Sequence, residues 1–475
     1  MIGFRSGVAL AALTLMCVVS GCGANSSRRY NYSPSVIESG EVRQLWWCAN
    51  AVNPTNPSQD TDAILYKSIN LKTNVTFGPV TVLAETVGGW DSVYTCNPKV
   101  TKGVFANPLG DGKTYQYVMY YVGTDNGGGQ QNSIGAAFSN DGIVWNKYPH
   151  PVIQSTAPQN KYGVGQPAVY NSNGKAAIRM FYECDDPIEH HVEATSTDGL
   201  HFTVVGTLTT AGLDPNLSLP SWGDMAYDSA TGYWYALFNL PTRDPSTTGE
   251  VIERGQLGVE LYRIPASSLL TGTTPWEELH TFDTNLTNSE SNFIAGFVRD
   301  QFGSLNVKGY PNIRMYASVS NPPVGWNASP EEAAETASPD TWIVAPLQWT
   351  ANQPLLALNR YVNSMTHVVT TGWMNPAGQF RLESTLGHLY EGPQQGATVA
   401  FYACKQGSTD YFVSLDYLCE GQRFVGKNGY GYSHPIAGLH LVPLYRCRTN
   451  KDHFVSKDAR CEGATTEELL GYALP

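Results

Sequence analysis

Three acidic residues stand where carboxyl groups could share work on one substrate. Asp91 lies in Gly88-Gly89-Trp90-Asp91-Ser92, Asp224 in Trp222-Gly223-Asp224-Met225, and Glu290 in Asn288-Ser289-Glu290-Ser291. Two carboxyl groups facing one bond can divide the roles of acid and base, one protonating the leaving group and the other activating water. The residues around them suit a polyhydroxylated ligand. Trp90 and Trp222 offer faces on which a sugar ring can stack, and Asn97, Gln166, Asp186 and His190 offer hydrogen bonds. Asp62, Asp125, Asp185, Glu189 and His191 add polar groups of the same kind. Each candidate also has a plain structural reading. Asp91 could cap a turn, Asp224 begins a strand where an unpaired charge is costly, Glu290 sits among residues typical of a solvated loop, and Asp185-Asp186-Pro187 reads as a turn.

Residues this far apart act together only if the fold gathers them. The stretch from Tyr115 to Phe202 contains one pattern twice: an aromatic β-run, a polar loop, a second β-run, then a Ser-x-Asp-Gly-x-x-aromatic corner at Ser139-Asn140-Asp141-Gly142 and Ser196-Thr197-Asp198-Gly199. Asp-Gly after a strand signals a tight turn. Short strands repeating at roughly 50–60 residues indicate a β-propeller. Aromatic strands at Leu45-Trp46-Trp47-Cys48, Met119-Tyr120-Tyr121, Met180-Phe181-Tyr182, Trp234-Tyr235-Ala236 and Arg314-Met315-Tyr316 set the number of blades at five, spanning residues 41–350. Inner strands are expected to begin near Gly40, Thr95, Gly163, Trp222 and Asn292, and Ser329-Pro330-Glu331-Glu332 reads as the start of a short helix. In such a ring, the inner-strand starts and the connections between second and third strands surround one mouth. That topology would bring the candidate acids together.

The corners and the five-unit architecture, over about residues 40–350, resemble the five-bladed propeller glycoside hydrolases such as arabinanases, β-xylosidases and fructan hydrolases. The resemblance implies an Asp base, a second Asp that tunes pKa and a Glu acid on inner strands of successive blades. The second Asp usually precedes Pro, whereas this chain has Asn97-Pro98 there, and Asn cannot titrate. Glu183-Cys184 resembles the Glu-Cys pair of fructan hydrolases but lies on a second strand.

From about Gln353 a different repeat takes over, assigned to residues 351–475. Thr366-His367-Val368-Val369-Thr370 aligns with Asp410-Tyr411-Phe412-Val413-Ser414 and Asp452-His453-Phe454-Val455-Ser456, with Tyr361, Tyr402 and Tyr445 preceding the copies. Three copies at about 43 residues fit a β-trefoil of four-stranded units. This part resembles a trefoil-like module appended to secreted bacterial proteins. The fold class expected is therefore all-β, a five-bladed β-propeller followed by a β-trefoil-like domain. By analogy with other trefoils, His367, Asp410, Asp452 and His453 are candidates for sugar contact, with a structural role the first reading.

Residues 1–21 read as a signal: Arg5, then an apolar run from Val8 to Val19 that is short for a membrane span. Val19-Ser20-Gly21-Cys22 resembles a bacterial lipobox, which implies lipidation of Cys22, with residues 22–40 as a tether and an outer-membrane or cell-surface location. Export permits disulfides. Cys404 with Cys419 and Cys447 with Cys461 recur at nearly equal spacing and are expected to be local bridges, while the pairing of Cys48, Cys96 and Cys184 stays open. No zinc spacing is present, and the Asp125–Gly129 loop carries too few acids to make a strong Ca²⁺ site. A formal net charge of −12 argues against nucleic acid as a partner. Two functions follow as expectations: a surface-anchored glycoside hydrolase with an accessory carbohydrate-binding trefoil, or a non-catalytic surface protein that binds glycan or protein.

Overall fold

The computed structural model describes residues 31–52, 60–185, 189–213, 222–240, 258–282, 291–305, 312–320, 343–350, 355–372, 379–392, 399–416, 418–436 and 438–475. Asp186, Glu290, the signal segment with Cys22, and the expected helix at 329–332 lie outside them. Of Trp222 only the backbone is described. Among the described residues there are strands, turns and short 3-10 turns, and no α-helix.

Five antiparallel units follow one another. Blade I is β1 (Asn31–Ser39), β2 (Val42–Val52), β3 (Asp60–Asn70) and β4 (Thr76–Leu83). Blade II is β5 (Tyr94–Ala106), β6 (Thr114–Thr124), β7 (Ser133–Ser139) and β8 (Asn146–Lys147). Blade III is β9 (Val164–Asn171), β10 (Ile178–Asp185), β11 (Glu189–Ser196) and β12 (Thr203–Thr207). Blade IV is β13 (Trp222–Asp228), β14 (Tyr233–Leu240), β15 (Gly258–Pro265) and β16 (Glu277–Phe282), and blade V is β17 (Ser291–Arg299), β18 (Asn312–Ser320) and β19 (Ile343–Thr350). The first strands β1, β5, β9, β13 and β17 touch one another in that cyclic order. The ring closes where β1 pairs in parallel with β17, Val36 opposite Val298 and Ile37 opposite Arg299.

Between successive blades lies one apolar wedge each, because every strand buries the residues that face its neighbour. Trp46, Ile64 and Tyr66 meet Val100, Met119 and Tyr121 between blades I and II. Phe105, Tyr120 and Phe138 meet Val169 and Met180 between II and III. The corners tie these wedges. Gly142 and Gly199 adopt φ of +78° and +83°, which a side chain would resist. Asp141 Oδ1 accepts from the backbone N of Ile143 and Val144 (2.8 Å each), and Asp198 Oδ1 from Leu200 (2.8 Å) and His201 (2.9 Å). Each corner then receives a hydrogen bond from the preceding blade: Trp46 Nε1 donates to Gly142 O (2.9 Å) and the Tyr120 hydroxyl to Gly199 O (2.8 Å).

Blade I, expected to begin near Gly40 after a tether over residues 22–40, begins earlier: β1 (Asn31–Ser39) is its inner strand, and residues 22–30 lie outside the described residues. Strand β1 carries no aromatic run, and Pro34 disguises it; the signal was Ser33-Pro34, which parallels Asn97-Pro98 and Gln166-Pro167 on β5 and β9.

The C-terminal copies are β20 (Leu355–Val362), β21 (His367–Thr370) and β22 (Arg381–Tyr390); β23 (Val399–Gln406), β24 (Asp410–Ser414) and β25 (Arg423–Gly431); and β26 (Val442–Arg448), β27 (His453–Ser456) and β28 (Thr465–Ala473). Each copy has three strands among the described residues, where four were expected. The shared core holds Leu358, Phe401 and Leu444, which lie opposite Gly387, Gly429 and Gly471. This register moves one expected equivalence. Tyr361 lies opposite Leu382 as Cys404 lies opposite Phe424 and Cys447 opposite Thr466, so Tyr361 takes the cysteine's place in the first copy. The second and third copies hold the disulfides Cys404–Cys419 and Cys447–Cys461.

Candidate functional site

The inner strands begin at the mouth, and they begin irregularly. β-Bulges interrupt the pairing of β1 between Tyr32 and Ser35, of β5 between Cys96 and Lys99, of β13 between Trp222 and Asp224, and of β17 between Phe293 and Ala295. The β9–β10 pairing is irregular in the same region. At three of these places a residue directly before proline has positive φ: Ser33 at +52°, Asn97 at +49° and Gln166 at +47°. Proline disfavours that geometry in its predecessor, and backbone strain of this kind is concentrated at functional sites. Bulges re-aim side chains. Here the re-aimed side chains are a hydroxyl and two amides. Ser33 Oγ is buried with no protein hydrogen bond, as is Thr95 Oγ1 two residues before Asn97. Asn97 and Asn292 are buried, and Gln166 is half-buried.

Asp62 lies near the start of β3, on the same side. It is 5 % exposed, its Oδ1 has no protein hydrogen bond, and burial pushes its carboxyl up to about 8. It lies beside the Cys48–Cys96 disulfide, which ties β2 of blade I to β5 of blade II, and the Tyr32 hydroxyl is 2.7 Å from Cys96 Sγ. Because the folded state holds the proton that the unfolded chain releases, Asp62 makes stability fall as pH rises from about 4 to about 8, by up to about 1.4 kcal/mol per pH unit. Asp62→Asn should remove that slope, with the difference between the proteins absent below pH 4 and constant above 8, as measured by urea unfolding across pH.

The acids singled out from sequence have other places. Asp91 is 1 % exposed; its Oδ2 is 2.5 Å from Lys147 Nζ on β8 and accepts from the Tyr121 hydroxyl at 3.0 Å. Trp90 stacks on Tyr121 (5.8 Å between centroids, 20° between planes) and covers Gly123 and Gly135. Both residues pack against the wedge between blades I and II, Asp91 buried and Trp90 half-buried. Asp224 is fully buried. Its Oδ2 accepts from Phe297 N and its Oδ1 from Met225 N (3.0 Å each), and Lys99 Nζ and Arg299 Nη1 are each 3.6 Å from Oδ1. It belongs to an ionic cluster on the ring axis, not to a substrate surface. Lys99 and Arg299, on β5 and β17, were not anticipated; basic residues inside otherwise apolar inner strands were the available signal.

Asp185 accepts from Lys161 Nζ (3.1 Å) and Tyr162 N (3.2 Å). His190 is half-buried opposite Cys184, which is in none of the three disulfides, and burial, with His190 adding, lowers His191 to about 3, so it is neutral. In the C-terminal module the histidines and acids pair between copies: His367 with Asp452, and His453 Nδ1 with Asp410 at 2.7 Å. Arg360 reaches Glu462 and Arg446 reaches Glu420 across the same two seams (2.7 and 2.5 Å). At the third seam Thr366 and Tyr411 stand where the other seams have Asp and His. These groups hold the copies together.

No family model matches the chain, and no curated protein matches it. Over about 69 % of its length the chain is structurally similar, at low identity, to five-bladed propeller glycoside hydrolases. The catalytic domain of a GH62 α-L-arabinofuranosidase from Coprinopsis cinerea is 11 % identical, with 68 % of this chain and 92 % of that one covered and a TM-score of 0.42. An α-L-arabinofuranosidase from Lactobacillus brevis is 12 % identical, covering 69 % and 93 %, with a TM-score of 0.43. A family 117 glycoside hydrolase from Zobellia galactanivorans is 11 % identical, covering 69 % and 86 %, also at 0.43. Nothing about this chain's own chemistry follows from these likenesses.

Proposed function

We propose that the propeller recognises carbohydrate at its mouth and holds a neutral sugar chain through hydroxyl and amide side chains without cleaving it there. The observation that carries this reading is the set of three strained residues before proline, Ser33, Asn97 and Gln166. Each is a hydrogen-bonding group that neither gives up nor takes a proton near neutral pH. Sites that hydrogen-bond a ligand's hydroxyls discriminate strongly against ligands lacking them. Asp91 and Asp224, two of the three acids expected to act, are bound in ion pairs, and Glu290 lies outside the described residues. In the same proposal the three-copy module is trefoil-like and keeps the polymer near the mouth, and lipid on Cys22 anchors the protein at the cell surface.

Hydrolysis is the second reading, and Asp62 favours it, being a carboxyl that stays protonated at neutral pH as a general acid must. One experiment separates the two. Purified protein titrated with a polysaccharide panel should bind without releasing reducing ends, and Asn97→Ala and Gln166→Ala should each weaken binding about tenfold, measured below the unfolding transition because alanine at positive φ also lowers stability somewhat. Release of reducing ends that Asp62→Asn abolishes would establish the second reading instead. No binding to any polysaccharide would end both.

A further inference from the structure

On the axis beneath the mouth, all five inner strands meet in one polar cluster. Lys99 comes from blade II, Asp224 from IV and Arg299 from V, and all three are fully buried. Blade I supplies Pro34 O, which accepts from Lys99 Nζ at 3.2 Å, and Ser35 Oγ, which accepts from Arg299 Nη2 at 3.1 Å. Blade III supplies Val169 O, which accepts from Arg299 Nη1 at 3.2 Å.

The charges do not balance. Two cations share one carboxylate, the one acid the described residues place within ion-pair distance of either. Nor does that carboxylate satisfy them. Both stand 3.6 Å from the same Oδ1, beyond hydrogen-bond reach, while the two Asp224 oxygens take backbone N–H groups. Arg299 Nε–H, with no exposure, has no protein acceptor. Lys99 has a carbonyl for one of its three donors. Burying a net charge in this way costs several kcal/mol unless a counter-charge meets it.

We infer that a small monovalent anion of chloride's class binds on the propeller axis, held by Lys99 Nζ and Arg299 Nε. One negative charge cancels the excess, whereas a divalent anion would leave the cluster negative. The same two cations also donate to backbone carbonyls of blades I and III, so few of their donors remain for an ion, and a small monatomic one needs the fewest. Burial lowers the Lys99 ammonium to about 8, with Asp224 opposing that shift and Arg299 adding to it. An anion beside it would favour its charged form.

Crystals of the full protein soaked in bromide test this directly, by anomalous scattering. A peak within hydrogen-bond distance of both Lys99 Nζ and Arg299 Nε is expected. In solution, at constant ionic strength, replacing gluconate by chloride should raise the melting temperature by about 3 °C for each tenfold rise in chloride above its dissociation constant. Lys99→Met, in which the cluster is already neutral, should lose that response. The proposal requires both the peak and the chloride response. No peak on the axis, or equal responses from the two proteins, would overturn it. Should Lys99→Met fail to fold, the wild-type comparison of chloride with gluconate takes its place, and equal melting temperatures would be the contrary result.

Discussion

Asp224→Asn should destabilise the protein by about 3–5 kcal/mol, the usual consequence of removing one member of a buried ionic cluster. The substitution is nearly isosteric, so packing around β13 survives. What changes is that Lys99 and Arg299 lose the carboxylate they share, leaving two buried positive charges. The hydrogen bond to Phe297 N survives in part, since the amide oxygen can still accept it. Denaturant unfolding measures the effect. Glycan affinity, determined below the unfolding transition, should stay within about twofold of wild type. A selective loss of binding or turnover without loss of stability would return Asp224 to the functional site and undo the placement argued here.

Lys427→Met should have an effect of similar size at the seam between propeller and C-terminal module. Lys427 lies on β25 of the second copy, with its side chain 2 % exposed. Its Nζ is 2.6 Å from Glu260 on β15 and 3.3 Å from Glu278 on β16, and donates to the Tyr430 hydroxyl at 3.0 Å and to Thr281 Oγ1 at 3.2 Å. The Tyr430 hydroxyl in turn donates to Glu278, and Tyr262 to Glu260. Burial alone would lower the Lys427 ammonium; Glu260 and Glu278 hold it well above its ordinary value instead. Methionine fills a similar volume but removes the ammonium facing the buried Glu260 carboxylate, which keeps only the hydroxyl donors Tyr262 and Thr281 of the bonds described. A loss of about 3–5 kcal/mol is expected, and adding Glu260→Gln should recover part of it. The equivalent positions in the other copies, Thr385 and Leu469, carry no charge, so the second copy alone is fitted for this contact. Full stability in Lys427→Met would mean that the seam contributes nothing.

Much of the architecture was legible, for physical reasons that differ by element. The aromatic second strands announced themselves because they pack on both sides, in two wedges at once. The Ser-x-Asp-Gly corners were readable because the Asp and Ser side chains bond locally, within three residues. The pairs Cys404–Cys419 and Cys447–Cys461 were local as well, whereas the partner of Cys48, 48 residues away on the next blade, was not deducible from spacing. The buried ion pairs of Asp91 and Asp224 were hidden for a related reason. Asp224 does begin an inner strand, but the bulge between Trp222 and Asp224 turns the register, and a one-residue slip carries a side chain to the opposite face. Its partners come from blades II and V, and no local pattern announces such a meeting. Of the tether expected over residues 22–40, the part from Asn31 to Ser39 is a strand, paired with the neighbouring β2 and, at the ring's closure, with the distant β17.

That pairing has a temporal corollary. Strand β1 finds its second neighbour only when the segment around Val298 has followed it, so the circle cannot be sealed until most of the propeller has been synthesised. Until then β1 keeps one unpaired β edge, and shielding that edge falls to whatever escorts the chain.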